Sequence, residues 1–372
     1  MSVSAWDVRS VMIYGGCFFL SLLFMGAAQI FDVQAGGKRE PFPLFCAIAL
    51  AIPVLLAGFR WQVGTDFHNY QILYETIGGF TALEEFQMQS GRTEWGYMLL
   101  NAVVYHLFQR EQMVFFLTSL IIYGCFFRGI VREHTHGSVM LALYVFYMCF
   151  FPQSLNIIRQ YIAMAILFLV QRYIWERRPV PFTVGVLAAS LFHNTALVFL
   201  PFYFSYGKGK WQKGVRIGIG LGLGILLAAF WSGSTLAEVF IKVLGEDHIT
   251  IVSAPLGWGI LLKRIPFLLF FMWRYREMVK QDSRCSGWLF FYLISIVLYQ
   301  FGYFYVVFNR LALFFETSLI FLLPQALRNV TDRRERFLAG AMLVLYLGVW
   351  GIQSMVVENI GTCIPYQWIG GV

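Results

Sequence analysis

Apolar runs long enough to cross a lipid bilayer recur along this chain of 372 residues. The hydrocarbon core of a bilayer is about 30 Å thick, so a spanning helix needs roughly 20 apolar residues. Hydrophobic residues make up 59% of the sequence and charged residues only 13%, which is more apolar surface than a soluble domain can bury. Because unpaired backbone groups are costly in lipid, the runs predict membrane-spanning helices.

The runs predict an all-α polytopic membrane protein with roughly 10–12 transmembrane helices, in a single integral membrane domain over residues 1–372. The predicted spans lie near 11–31, 43–59, 112–131, 137–151, 157–175, 215–232, 260–273, 286–303, 310–327 and 337–355. Two further segments fit a full span poorly. Segment 94–108 is short, and segment 180–205 is interrupted by Phe192-His193-Asn194, so we expect a short helix and a re-entrant hairpin there.

The basic residues give the spans a direction. Arg177, Arg178, Arg274 and Arg333 are among many that sit in short loops, which is the pattern of cytoplasmic loops. Residues 60–111 then form an outward-facing vestibule and residues 233–259 a second outward-facing loop. Since the net charge of +8 lies in these loops and not along a basic stripe, no nucleic-acid partner is predicted. The six cysteines are scattered, and indicate neither disulfides nor a metal site.

Polar residues near membrane depth are expensive and therefore informative. Arg60 directly follows the second apolar run and opens a stretch that ends at Tyr70. If this stretch is helical from Asp66, then Asp66 and Tyr70 share one face. The alternative is an interfacial arginine followed by an ordinary helix N-cap.

A second polar group opens the span near 157–175. Asn156, Arg159 and Gln160 are spaced i, i+3 and i+4, so a helix would place them on one face. Three polar groups aimed together favour an anion or sugar site. A snorkelling Arg159 is the alternative.

His193 lies within an otherwise apolar segment. A neutral imidazole can act as a general base near neutral pH, and the break in the segment would place it in a cavity. The alternative is a packing residue that caps a broken helix.

Late in the chain, Asn309-Arg310 heads a span that continues to Glu316. Arg310 and Glu316 are nearly two helical turns apart, so they are not an adjacent pair. Glu316 therefore needs another partner inside its span.

Together these motifs resemble the EpsG family of exopolysaccharide polymerases, related in role to the Wzy O-antigen polymerases. The resemblance rests on Phe59-Arg60 through Gly64-Thr65-Asp66-Phe67 to Tyr70, on Glu94-Trp95-Gly96-Tyr97, on Asn156-Ile157-Ile158-Arg159-Gln160, on Phe192-His193-Asn194-Thr195-Ala196-Leu197, and on Asn309-Arg310. Their order covers most of the chain. Two positions depart from the pattern, since a tyrosine is more usual at Phe67 and a serine at Thr195.

The resemblance implies an enzyme that transfers a glycan chain from undecaprenyl diphosphate onto a lipid-linked oligosaccharide repeat unit, at the outer, periplasmic face of the bacterial inner membrane. Arginine forks suit diphosphate oxygens because they bind two of them at once and stay charged. The implied residues are Arg159 and Arg310, with Arg60 as third candidate, for the diphosphate; His193, with Asp66 or Glu94 as fallback, for the base; and Tyr70, Asn156, Gln160 and Asn309 for sugar or acceptor.

No Asp or His cluster at metal-ligand spacing is present in the sequence, so we expect a metal-independent glycosyltransferase without a cofactor. The resemblance further implies a polytopic fold akin to the glycosyltransferase-C architecture, and a chain-length-regulating membrane protein as a partner.

Two other functions remain open. An O-antigen-ligase-like enzyme would use the same donor and hand the glycan to a different lipid acceptor. A flippase or transporter of lipid-linked oligosaccharide would use its buried charges for translocation.

Overall fold

The structure is a computed structural model that describes residues 7–31, 33–35, 38–40, 42–80, 85, 93–133, 138–207, 210–231, 258–302 and 306–370. Most of these residues are helical. In chain order the elements are α1 (Val8–Ile30), β1 (Val33–Ala35), β2 (Lys38–Glu40), α2 (Pro43–Gly58), α3 (Phe67–Gly78), α4 (Trp95–Phe108), α5 (Gln112–Glu133), α6 (Val139–Cys149), α7 (Phe151–Ser154), α8 (Ile158–Val170), α9 (Arg172–Trp175), α10 (Pro179–Ser190), a 3₁₀ helix (Asn194–Ser205), α11 (Lys210–Trp231), α12 (Trp258–Leu262), α13 (Ile265–Gln281), α14 (Cys285–Phe301), α15 (Val306–Glu316), α16 (Leu319–Arg328), α17 (Arg333–Ile352) and a π turn (Gln353–Val357). β1 and β2 pair as a short antiparallel hairpin.

The predicted fold class is confirmed: the protein is a helical, polytopic membrane protein. In the described part of the chain, four helical stretches are long and apolar enough to cross a bilayer, namely Val8–Ile30, Gln112–Glu133, Val307–Arg328 and Arg333–Val357. Shorter apolar helices cover Pro43–Gly58, Val139–Cys149, Pro179–Ser190 and Cys285–Phe301. The helices form because their backbone groups have no other hydrogen-bond partner in lipid.

The chain divides into two compact units. The first contains Met1–Val170, Thr183–Leu197 and Arg334–Val372, and the second contains Gln171–Phe182 and Val198–Arg333. In the first unit, α2 packs against α1 and α5, and α5 packs against α8. Its core is aromatic: the rings of Phe18 and Tyr147 stack 4.6 Å apart, and those of Phe67 and Phe115 stack 4.4 Å apart.

Segment 359–369 closes the first unit against the turn that follows α2. The Trp61 N–H donates to the carbonyl oxygen of Gln367 at 2.9 Å, and the Ile369 N–H donates to that of Phe59 at 3.1 Å. The Tyr366 hydroxyl donates to the carbonyl oxygen of Leu56 at 2.9 Å. These bonds hold the stretch from Phe59 to Gly64 in a fixed turn just before α3.

In the second unit, α14 packs against α11, α15 and α16. Its core is also aromatic, with Trp288 stacked on Phe321 at 4.7 Å and Phe199 on Phe315 at 4.9 Å. A turn at Thr317-Ser318 separates α15 from α16. The sequence predicted one continuous span over 310–327.

Neither of the two segments that fit a full span poorly forms a full-length spanning helix in the structure. Segment 94–108 forms the 14-residue helix α4. Segment 180–205 consists of α10, a turn at 191–193 and the 3₁₀ helix. The re-entrant path of this segment stays a prediction. Most of the predicted outward loop 233–259, and part of the vestibule 60–111, fall outside the described residues.

Candidate functional site

Three motifs from separate parts of the first unit meet at the carboxylate of Glu94. Its Oε2 accepts a short hydrogen bond from the Arg159 guanidinium. Its Oε1 lies 3.0 Å from Nδ1 of His193 and 3.4 Å from the backbone nitrogen of Asn194. The structure therefore brings three predicted site residues together. Arg159 was predicted to bind diphosphate, His193 to be the base, and Glu94 to be the fallback base.

A close backbone approach fixes Glu94 relative to His193. Glu94 precedes α4 in extended conformation, and the next residue but one, Gly96, donates its N–H to the carbonyl oxygen of Leu191 at 2.7 Å. A Cβ on Gly96 would lie only 2.7 Å from that same oxygen. The start of α4 and the turn at 191–193 can thus approach only because residue 96 is glycine.

Arg159 lies in the first turn of α8 and keeps part of its surface open. Its side chain is 31% exposed, against 9% for Glu94 and 18% for His193. Within the described ranges, the ion pair to Glu94 is the only one that this guanidinium makes, and it uses Nη1. Among these residues no carboxylate pairs with Nε or Nη2, which can therefore bind an anionic ligand.

The charges set the protonation of the cluster. Burial by itself raises the pKa of the Glu94 carboxyl, but the hydrogen bond from His193 and the charge of Arg159 outweigh it, so this pKa lies below its ordinary value. Glu94 is then a carboxylate, which only accepts hydrogen bonds. The contact with His193 therefore places an imidazole proton on Nδ1, and in the neutral form of the ring the lone pair is then on Nε2.

Arg60, the third diphosphate candidate, is turned into the protein. It is 1% exposed, and its nitrogens donate to the backbone carbonyl oxygens of Ala57, Val63 (3.0 Å) and Leu155 (2.9 Å). Its guanidinium also lies 4.8 Å from the centre of the Phe115 ring. A side chain satisfied in this way ties α2, the following turn and residue 155 together, so it is not presented to a ligand.

The polar group that opens α8 is also largely internal. Asn156 is 7% and Gln160 2% exposed. The Asn156 Oδ1 accepts from the Thr65 hydroxyl at 3.1 Å, and its amide is wedged so closely against Gly361 that no Cβ would fit there. Asn156 therefore joins the turn before α3 to segment 359–369, a positioning role where the sequence predicted sugar contact.

Tyr70 contacts the start of the helix that carries Arg159, and Asp66 precedes the helix that carries Tyr70. Asp66 is half-buried at the start of α3, and the Tyr70 hydroxyl accepts the backbone N–H of Ile158 at 3.0 Å, directly beside Arg159. The predicted helix from Asp66 is therefore present, and Tyr70 belongs to the surroundings of Arg159.

Asn309 and Arg310 belong to the second unit. The Asn309 amide donates to the carbonyl oxygen of Gly302 at 3.2 Å, which joins α15 to the end of α14. Arg310, the next residue, is exposed.

The second unit also holds a buried ionic cluster, of which the sequence indicated only Glu316. Glu316 accepts hydrogen bonds from Nε and Nη2 of Arg264, each at 2.7 Å, and from the Tyr299 hydroxyl. The Arg264 guanidinium lies 3.7 Å from the centre of the Tyr299 ring. Arg264 is thus the partner that the sequence predicted for Glu316 without identifying it. The sequence showed only an acid without a partner inside a predicted span, because Arg264 lies 52 residues earlier in the chain.

No three His, Cys, Asp or Glu side chains converge as a metal-ligand set in the part of the chain that the structure describes. The chain matches no curated protein and no solved structure in the comparisons made, so the glycosyltransferase-C-like architecture stays a prediction. The model of the EpsG family, by contrast, matches residues 44–368 and so spans all five motifs. The chain therefore belongs to the EpsG family, and its function is of the exopolysaccharide-polymerase type.

Proposed function

We propose that this protein polymerises polysaccharide by transferring a glycan chain from undecaprenyl diphosphate to a hydroxyl of a lipid-linked repeat unit. The observation that carries the proposal is the Glu94 carboxylate, which binds both an open arginine and a histidine. A cation for the departing diphosphate and a base for the acceptor hydroxyl are the two groups that this transfer needs.

In this reaction the acceptor hydroxyl attacks the anomeric carbon of the donor. Its proton passes to Nε2 of His193, while the bond from that carbon to the diphosphate oxygen breaks. Arg159 binds the oxygens that gain charge. Glu94 orients His193 and stabilises the imidazolium that forms, so it acts as a positioning residue and not as the base.

The diphosphate role predicted for Arg310, which is exposed on α15 of the second unit, stays a prediction. Arg60 is left out, because its nitrogens are taken by backbone carbonyl oxygens. Asp66 remains an alternative base, since it is half-buried near Tyr70.

The proposed location is the bacterial inner membrane, with the reaction at its outer face. The outward-facing vestibule would admit the repeat unit, and a chain-length-regulating membrane protein would be a partner. The transfer is proposed to require neither a metal ion nor a cofactor.

The test uses the purified full chain in lipid vesicles with an undecaprenyl-diphosphate-linked repeat unit. The wild type should give a ladder of products, and should still do so in EDTA. His193→Ala should slow the ladder by about 10²–10⁴, the range for removal of a general base, and Arg159→Ala should abolish it. His106→Ala and Arg128→Ala are matched controls, because both residues are exposed in the structure, and should leave the ladder unchanged.

The same assay separates the other two functions. A glycan found on a lipid other than the repeat-unit carrier would indicate a ligase. Movement of labelled lipid-linked sugar across the vesicle membrane without a new glycosidic bond would indicate a flippase. Either result, or a full ladder from both His193→Ala and Arg159→Ala, would contradict the proposal.

A further inference from the structure

Tyr70 brings its phenol to the first turn of the helix that carries Arg159. The side chain projects from α3 and is 8% exposed. Its oxygen accepts the backbone N–H of Ile158, the first residue of α8, at 3.0 Å. This oxygen therefore lies at the positive end of a 13-residue helix, where negative charge is stabilised.

The hydroxyl proton of Tyr70 has no acceptor among the residues that the structure describes. A phenol has one proton to donate and can accept through its lone pairs, and the bond from Ile158 uses only a lone pair. Across the described residues, no oxygen or nitrogen accepts the Tyr70 proton. Because the Tyr70 oxygen lies at the N-terminus of the helix that carries Arg159, a ligand oxygen bound beside Arg159 can accept this proton.

The neighbours of this proton favour an anion. The positive charge of Arg159 acts on the phenol more strongly than the negative charge of Asp66, and among the described residues the Arg159 guanidinium pairs with Glu94 through Nη1 alone. The Tyr97 ring lies 5.6 Å from the Tyr70 ring and closes one side. The result is one donor hydroxyl and one partly open cation at the same helix N-terminus.

We infer that the Tyr70 hydroxyl binds the diphosphate of the lipid-linked donor, donating a hydrogen bond to a phosphate oxygen beside Arg159. This inference rests on the proposed function, and it changes the role of Tyr70 from sugar contact to leaving-group contact. As the bond from the anomeric carbon to the diphosphate breaks, negative charge grows on the phosphate oxygens and the hydrogen bond strengthens. Tyr70 keeps its proton throughout. Loss of the hydroxyl should therefore lower kcat more than it raises KM.

The experiment measures equilibrium binding of undecaprenyl diphosphate without sugar to the full chain in nanodiscs. Tyr70→Phe should weaken binding about tenfold, the effect of one hydrogen bond to a charged group. Undecaprenyl monophosphate should show a smaller loss. Tyr74→Phe is the matched control, because Tyr74 is one turn further along α3, is also buried and has no partner for its hydroxyl among the described residues. It should bind as the wild type does.

A second variant guards against a simple loss of structure, since Tyr70→Phe also removes the acceptor of the Ile158 N–H. A 3-fluorotyrosine at position 70 keeps the oxygen and is the stronger donor, so it should retain diphosphate binding. Equal binding by Tyr70→Phe and wild type, an equal loss in Tyr74→Phe, or a loss in the fluorotyrosine variant would overturn the inference. So would a Tyr70→Phe variant that only raises KM for the acceptor, because that places Tyr70 at the sugar.

This binding experiment needs no turnover. A wild type that binds undecaprenyl diphosphate through Tyr70 but builds no ladder would contradict the proposed polymerase and leave the diphosphate contact intact. A wild type that builds a ladder while Tyr70→Phe binds normally would contradict the contact alone.

Discussion

The backbone N–H of Gly96 and the carbonyl oxygen of Leu191 are joined by a hydrogen bond of 2.7 Å. This contact brings the Glu94 motif and the His193 motif together, although the hydrogen-bonded pair Glu94 and His193 is separated by 99 residues. The distance between His193 and Glu94 is thus set by backbone packing next to both residues.

Gly96→Ala should disrupt this approach. Its Cβ would lie 2.7 Å from the Leu191 oxygen and 2.9 Å from the Leu191 Cβ, so the two segments must move apart by several tenths of an ångström. Since displacements of about 1 Å can cost about 10²-fold in rate, we expect at least a tenfold slower ladder with normal helical content by circular dichroism. Gly124→Ala is the control, because nothing lies within 4 Å of its added Cβ. Normal activity in Gly96→Ala would show that the approach is not needed.

Glu94→Gln should make stability depend less on pH. The pKa of Glu94 lies below its ordinary value of 4.5, so its ionised form is stabilised by folding. That contribution is complete above the ordinary value and is lost as pH falls through the lowered pKa. At pH 7 the variant should be less stable by about 2 kcal/mol, and the difference should shrink below pH 4.5. Thermal unfolding in detergent from pH 7 to 3 measures it, with exposed Glu75→Gln as control; a pH-independent difference would refute the assignment.

Arg60→Met should destabilise the fold without a selective loss of diphosphate binding. The substitution keeps an apolar stem but leaves the carbonyl oxygens of Ala57, Val63 and Leu155 without this donor. We expect a loss of about 3 kcal/mol in the free energy of unfolding, and a much smaller loss for the partly exposed Arg159→Met. A variant that melts like the wild type but binds undecaprenyl diphosphate poorly would restore Arg60 as a ligand.

The Arg264–Glu316 pair should show strong coupling in a double-mutant cycle. Both side chains are under 10% exposed, so Glu316→Leu alone leaves a buried charge and should cost about 3–5 kcal/mol. The double variant Arg264→Met/Glu316→Leu should recover most of this loss. The more exposed i, i+4 pair Arg172–Glu176 is the comparison, with an expected coupling of about 0.5 kcal/mol or less. Additive losses at Arg264 and Glu316 would mean that the two charges are not coupled.

Hydropathy predicted most helices well because apolar length is what a bilayer selects. The predicted span 43–59 is observed as Pro43–Gly58 and 112–131 as Gln112–Glu133. It failed where the backbone departs from the apolar pattern. Predicted span 260–273 falls on two helices, Trp258–Leu262 and Ile265–Gln281. The second extends past the apolar run because a helix continues into polar residues as long as its backbone bonds are satisfied. The break at Thr317-Ser318 leaves no mark in hydropathy.

The sequence identified the residues of the candidate site but not which of them bond to one another. Helical spacing relates residues within one helix, so it grouped Asn156, Arg159 and Gln160, but it could not show that Glu94 pairs with Arg159. Helical spacing also could not distinguish the partly exposed Arg159 from Arg60, whose nitrogens bond to backbone carbonyl oxygens.

The contact between segment 359–369 and the turn after α2 bears on how the protein is made. Tyr366 and Leu56 are 310 residues apart, and ribosomes add about 5–20 residues per second. The turn that leads to Asp66 and Tyr70 must therefore wait roughly 15–60 seconds for its closing partner. The first unit, which holds the cluster of Glu94, Arg159 and His193, therefore acquires this closing contact late in biogenesis.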